Sequence, residues 1–178
     1  MTPIVIDASV AMAIVLGEPR GEAIVGRLRT ELGRGSRLLV PAHFWLEVTS
    51  ALRTRHQTPG SRIVEMLHEL DTFEIGTITI ERPHLLLVVD AMERHGLTGY
   101  DAMYLVLAES LGASLATFDD RLLAAAGPLA IGTDDPHRLS EPAAPYERDV
   151  TWPAYAEAGR FLAKLRADAI RDREAARS

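Results

Sequence analysis

The sequence predicts an α/β layer fold on a largely parallel sheet, and three observations predict it. Five short runs are apolar throughout, as buried strands are. Longer segments of helical periodicity alternate with them, which is the order of strand–helix–strand units. The 178 residues, 47% of them hydrophobic, suffice for one ordinary core, and no break in composition divides them into halves of domain size.

The strands are expected at Pro3 to Ile6, Leu38 to Val40, Phe73 to Ile80, Ser114 to Phe118 and Leu129 to Ile131. Helical periodicity begins near Ala8, Gly21, Ala42, Ser61, Glu81, Gly99 and Asp120. In the opening stretch IVIDASVAM, Ile4, Val5 and Ile6 suit a buried strand, and Val10, Ala11 and Met12 suit the inner face of a helix. Residues 132–150, GTDDPHRLSEPAAPYERDV, carry three prolines and seven charged side chains and read as a linker or surface wrap. Beyond it Tyr155, Ala158, Leu162, Leu165 and Ala169 recur at helical spacing, predicting a C-terminal amphipathic helix of roughly 20 residues. The expected organisation is one domain over residues 1–131 and a linker with helical extension over 132–178. No repeat or low-complexity tract interrupts it.

Composition narrows the function classes. No apolar run approaches the roughly 20 residues that span a bilayer, and the N-terminus lacks a basic region followed by a hydrophobic one. A soluble, unexported protein without membrane contact is expected. There are no cysteines, which removes disulfides, thiolate zinc sites and cysteine nucleophiles and agrees with a cytoplasmic location. Nineteen basic against 25 acidic residues give a net charge of −6, the reverse of a surface that binds nucleic acid all over. Arginines nevertheless gather in the first third, from Arg20 to Arg62, where they form either a local phosphate-contacting surface or solvated helix faces.

Four carboxylates occupy contexts that call for apolar residues. Asp7 ends the first strand, and a carboxylate buried there without a partner costs several kcal/mol or more, on the order of magnitude known for such groups. Glu47, in PAHFWLEVTSAL, lies on the shoulder of the helical stripe made by Phe44, Val48 and Ala51. Asp101 opens DAMYLVLA, a helix apolar nearly all round. Asp119 follows SLATF at another strand's carboxyl end, with Asp120 beside it as a competing acid. Capping explains each aspartate singly: Asp7 before Ala8, and capping-box spacing from Thr98 to Asp101 and from Thr117 to Asp120. Glu47 needs no cap, and a salt bridge to Arg53 or Arg55 is its structural explanation.

Collectively, four acids at two strand ends and on two buried helix faces point to one crevice outside the carboxyl edge of the sheet, where ligands gather in such folds. Packed like charges repel and raise one another's pKa unless a cation compensates them. Mg²⁺ or Mn²⁺ suits an all-oxygen cluster lacking histidine and cysteine, and the six histidines offer no metal-ligand spacing of their own. Such a site serves phosphoryl or phosphodiester transfer. There is no GxSxG, GxGxxG or P-loop, and the only lysine, Lys164, lies in the terminal helix.

Taken in order, VIDASV, LEVTSAL and GLTGYDAMYLVLAESLGASLATFDDRL resemble the PIN-domain ribonucleases, specifically the VapC-type toxins of toxin–antitoxin pairs, over roughly residues 3 to 131. The resemblance implies a three-layer α/β/α fold and a Mg²⁺- or Mn²⁺-dependent endoribonuclease held inactive by a cognate antitoxin, acting as a homodimer. It implies that Asp7, Glu47, Asp101 and Asp119 are the catalytic, metal-holding acids, with Ser9 and Thr117 the small hydroxyl residues beside them. Arg53 and Arg55, following Glu47, are the candidate RNA contacts. Residues from Gly132 onward have no counterpart in that pattern. Two other readings compete: a binding module that keeps the fold and uses its carboxylates as caps, and an aspartyl-phosphate phosphatase with Asp7 as nucleophile. The second lacks the further Asp expected two residues after Asp7, where Ser9 stands.

Overall fold

The computed structural model describes residues 2–131. The expected C-terminal helix and the wrap before it lie outside the described residues. Five strands, β1 (Ile4–Ile6), β2 (Leu38–Pro41), β3 (Gly76–Ile78), β4 (Ser114–Ala116) and β5 (Ala130–Ile131), form one sheet in the order β3-β2-β1-β4-β5, with every neighbouring pair parallel. The helices are α1 (Ala8–Val15), α2 (Pro19–Gly33), α3 (Phe44–Thr54), α4 (Gly60–Asp71), α5 (His84–His95), α6 (Gly99–Leu111) and α7 (Asp120–Ala126), with a 3-10 turn at Gly127–Leu129 before β5. The α/β expectation and all five strand positions hold.

Chain order places the helices in two layers. From β1 the chain steps outward through β2 to β3, then returns across the sheet to β4, on the other side of β1. Right-handed crossovers therefore put α1 to α4 on one face and α5 to α7 on the other. Packing agrees: α1 lies against α2, α3 and α4, whereas α6 covers β1, β2 and β4 with α5 and α7 beside it. Helix α6 is buried at every position from Ala102 to Ala108, as its all-round apolar sequence requires. Gly21 lets α2 close onto α1, because a Cβ there would stand 2.2 Å from the Ala13 carbonyl oxygen.

Boundaries shift where backbone chemistry decides them. Strand β3 is shorter than the apolar text from Phe73 to Ile80, because Phe73 still belongs to the turn closing α4 and Glu74 takes a positive φ of 51°. Helix α2 starts two residues before Gly21, at Pro19, whose missing amide donor is harmless in a first turn. Helix α5 starts at His84, after Pro83. Among the described residues no helix is long and apolar enough to cross a membrane.

Candidate functional site

The order of strands reverses beside β1, so the crevice outside the carboxyl ends of β1 and β4 is the topological switch point of the sheet. Asp7 stands at the end of β1, and its backbone amide donates to the Ala116 carbonyl of β4 (3.0 Å). Its backbone occupies the N-cap position of α1, yet its side chain makes no capping bond. The carboxylate is instead 4% exposed and accepts hydrogen bonds at Oδ2 from the hydroxyls of Ser9 and Thr117, the latter at 2.8 Å. Burial raises the Asp7 pKa above its ordinary value, and those hydroxyls, with the amides of Ser9 and Ala8, offset part of the rise. No cationic side chain is bonded to it among the described residues.

Ser9 and Thr117 tie this corner together. The Ser9 hydroxyl also accepts from the Phe118 amide (2.9 Å), and the Thr117 hydroxyl accepts from the Asp119 amide (3.0 Å). Thr117 is therefore not the cap of α7, as the capping-box spacing to Asp120 had suggested; its hydroxyl is committed to Asp7. Asp119 is the cap, accepting at Oδ1 from the Leu122 amide (2.8 Å), and it is exposed. Asp120 is exposed in the first turn of α7.

Glu47 rises from α3 on the facing side. The salt bridge to Arg53 or Arg55 does not form. Its partner is the buried Tyr104 of α6, whose hydroxyl donates to Glu47 Oε2 at 2.8 Å across 57 residues of chain. Burial raises the Glu47 pKa first; the phenol pulls it back, and the charges of Asp7 and Asp101 raise it again, against a small opposing effect of Arg55. Burial and the adjacent carboxylates push the Tyr104 hydroxyl far above its usual range, so it remains a donor. His43, one turn before Glu47, places its Nε2 3.9 Å from Glu47 Oε2, too far for a hydrogen bond. That nitrogen is buried with no hydrogen-bond partner among the described residues, and burial lowers the imidazole pKa despite the nearby charge of Asp101. The ring sits against Tyr104 (5.1 Å between centroids, edge-on) and Tyr100 (5.3 Å). Sequence reasoning passed over these three aromatic residues; the signal was Tyr100 and Tyr104, one helical turn apart on either side of Asp101.

Asp101 is half-buried, and half of the expected capping box forms at its helix: Thr98 Oγ1 accepts from the Asp101 amide (3.2 Å), but the Asp101 carboxylate accepts from the Thr98 hydroxyl (2.7 Å) rather than from its backbone amide. Of the two candidate arginines, Arg55 acts electrostatically on Glu47, whereas Arg53 donates to the Thr58 carbonyl (3.4 Å) beyond the end of α3. Of the other arginines of the first third, Arg34 pairs with Glu31 and Arg62 with Glu65 and Glu69. Arg20 pairs with Glu18 and covers the Phe118 ring.

The structure thus places Glu47 in the field of both Asp7 and Asp101, with the Asp119 carboxylate turned to its helix. A hard cation fits this chemistry, since the donors are all carboxylate oxygens and the buried Asp7 lacks a counter-charge. Among the described residues no three acidic or histidine side chains are close enough to hold one ion together. A cation there would keep water in part of its coordination sphere.

Fold and crevice together define a parallel α/β domain with carboxylates at its switch point. The sequence pattern of the PIN domain matches residues 4–128, and the chain belongs to that family. Ribonuclease VapC12 of Mycobacterium tuberculosis is 32% identical over 128 residues, covering 67% of this chain and 88% of that protein. A toxin–antitoxin complex from Klebsiella pneumoniae matches with a TM-score of 0.54 at 16% identity, over 73% of this chain and 97% of that one. VapC20 of M. tuberculosis, a toxin that cleaves the sarcin–ricin loop, matches at 0.52 and 17% identity, over 68% of this chain and 94% of that one. At those identities the structural likeness speaks for the fold, which is the three-layer α/β/α arrangement expected. PIN-domain ribonucleases are generally dependent on a divalent metal ion.

Proposed function

We propose that the chain is a Mg²⁺- or Mn²⁺-dependent endoribonuclease and the toxin of a toxin–antitoxin pair. The observation that carries this is Asp7: a buried carboxylate held by two hydroxyls at the switch point, with no cationic side chain bonded to it among the described residues, whose charge acts on Glu47. The identity to a ribonuclease of the VapC group supplies the substrate class. Asp7 and Asp101 are the principal residues that would hold the ion, with Glu47 and Asp119 completing the acidic set. When bound, the ion supplies Lewis-acid polarisation of the scissile phosphoryl group and offsets the negative charge of site and substrate.

The chain's own residues do the rest. Ser9 and Thr117 hold Asp7 in one orientation. Glu47, whose pKa burial raises, takes the proton of the attacking water while the Tyr104 hydroxyl keeps its carboxylate aimed. The water oxygen joins phosphorus, one P–O bond of the backbone breaks, and the leaving oxygen takes a proton from solvent water. Arg55, and to a lesser degree Arg53, contact the RNA backbone.

Residues 1–131 constitute the nuclease domain in this reading and 132–178 an extension; the enzyme is cytoplasmic, with a cognate antitoxin as protein partner. Leu85, Leu86, Val89 and Met92, exposed on α5, are the surface we assign to a homodimer, which light scattering of the purified chain would show as twice the monomer mass. The test of the activity is Mn²⁺-dependent cleavage of RNA, alongside growth of cells expressing the chain. Asp7→Asn and Asp101→Asn should each abolish cleavage and relieve growth arrest. Full residual activity in either overturns the assignment. Nothing in the site or the comparisons favours an inactive binding module, and that alternative predicts no Mn²⁺ binding by calorimetry.

A further inference from the structure

Tyr100 has no part in the chemistry outlined above, and its setting calls for a reason. It is 66% exposed, in the first turn of α6, immediately before Asp101. An exposed tyrosine is usually a loose one, but this ring is backed by the His43 imidazole at 5.3 Å with the planes inclined by 51°. His43 in turn leans edge-on against the buried Tyr104, the hydrogen-bond partner of Glu47. Three rings thus run from the acidic crevice outward, and the outermost is the most exposed of them. Leu46, 74% exposed, stands on the same turn of α3 as His43 and Glu47. Two bare apolar groups beside a cluster of carboxylates gain nothing for folding, since burial is where such groups stabilise.

An RNA strand offers what this rim lacks. Its phosphates need a counter-charge, whereas its bases supply flat faces that stack on aromatic rings whatever their sequence. Stacking adds affinity that does not depend on charge, which suits an anionic substrate entering an acidic site. A ring fixed from behind loses little freedom when a base lands on it.

We infer that Tyr100 is a base-stacking platform: a nucleobase adjoining the scissile phosphate lies on its ring, with His43 as the support that keeps the ring in place and Leu46 as an apolar ledge. The inference rests on the ribonuclease reading and sharpens it. A base can reach the platform only when it is out of a helical stack, so the substrate at that position is single-stranded or looped RNA rather than duplex.

The experiment uses the full chain with Mn²⁺ and a set of short single-stranded oligoribonucleotides, each carrying 2-aminopurine at a different position. Rapid mixing with wild-type protein should quench the fluorescence at one position next to the cut, before cleavage. Tyr100→Ala should lose that quench and raise KM by about 5- to 150-fold, the range for removing one base–aromatic stack, with kcat changed far less. Tyr100→Phe should behave as wild type, because the ring face and not the hydroxyl makes the contact. The position is exposed, so thermal melting should be the same for all three proteins.

An unchanged KM and retained quench in Tyr100→Ala overturn the platform and leave the ring to a protein partner. Equal losses in Tyr100→Phe and Tyr100→Ala overturn it as well, pointing to the hydroxyl. Absence of any cleavage by the wild-type chain refutes the ribonuclease reading itself, and that outcome is visible before any Tyr100 variant is made.

Discussion

The two sides of the crevice hold their carboxylates by different means. On the strand side, Asp7 is delivered by β1, which is paired to β2 and β4, and its carboxylate is bound by hydroxyls from two separate parts of the chain. On the helix side, Glu47 stands half-exposed on α3 and depends on a single phenol reaching over from α6. Backbone pairing and burial fix the first group; one side-chain bond tunes the second. In the proposed reaction the contrast is a division of labour, in which the scaffold places a charge and a proton is handled by a group whose basicity burial raises and one phenol pulls back.

The sharpest way to break the comparison is to remove the fixed charge. Asp7→Asn keeps the shape and still accepts the two hydroxyl bonds, so cleavage should fall by about 10³-fold or more, as the loss of several kcal/mol of transition-state stabilisation implies. Stability should move the other way. The folded pKa of Asp7 is raised above 3.8. Below that value both folded and unfolded chains are protonated there and nothing is lost. As pH rises past it, the unfolded chain releases its proton first, and the fold loses stability until the folded group ionises too. Without metal, Asp7→Asn should therefore melt higher than wild type at pH 7, by about 2–4 °C for each kcal/mol relieved. The gap should close toward pH 4 in a calorimetric pH series, and a gap constant with pH would refute the burial argument.

Tyr104→Phe tests the tuned side. Removing the donor favours the protonated form of Glu47, so the acid limb of the pH–rate profile should shift to higher pH. At neutral pH the rate should drop by about 10- to 100-fold, the range seen when an orienting partner is lost. An unmoved acid limb would separate Tyr104 from Glu47's chemistry. The smallest effect concerns the arginines. Arg55→Ala, near Glu47, should raise KM for RNA by about fivefold and flatten its salt dependence, as loss of roughly one phosphate contact does. Arg53→Ala, occupied with the Thr58 carbonyl, should change KM by less than about twofold. Reversal of that order would reassign the RNA path.

Much of the fold was legible because its signals are local. Each β-strand is a run of apolar residues next to a helical period, and Asp7 announced itself by interrupting such a run. Strand β3 was overextended because apolar text continues on both sides of it, while the positive φ at Glu74 that ends the preceding turn leaves no apolar mark. For the site, the acids were visible as misfits; their hydroxyl neighbours Ser9 and Thr117 came only through the family resemblance, and Tyr104 was not marked at all. Tyr104 lies 57 residues from Glu47, and Thr117 lies 110 from Asp7. A tyrosine in a buried helix and a threonine after a strand look ordinary until the topology sets them beside a carboxylate. The capping box from Thr117 to Asp120 failed for that reason: the same hydroxyl had a second, distant claimant.

The bond from Thr117 to Asp7 also sets a time at which the site can exist during synthesis. Strand β1 emerges from the ribosome first, yet β4, its partner on the side of the crevice, is made more than a hundred residues later, and contacts of such long range form late. A growing chain that already displays Asp7, Glu47 and Asp101 still lacks the Thr117 hydroxyl and the strand β4 that hold Asp7 in place. For a protein proposed to cut RNA, assembly from opposite ends of the domain keeps each nascent copy harmless to its own message until translation of the domain is nearly finished.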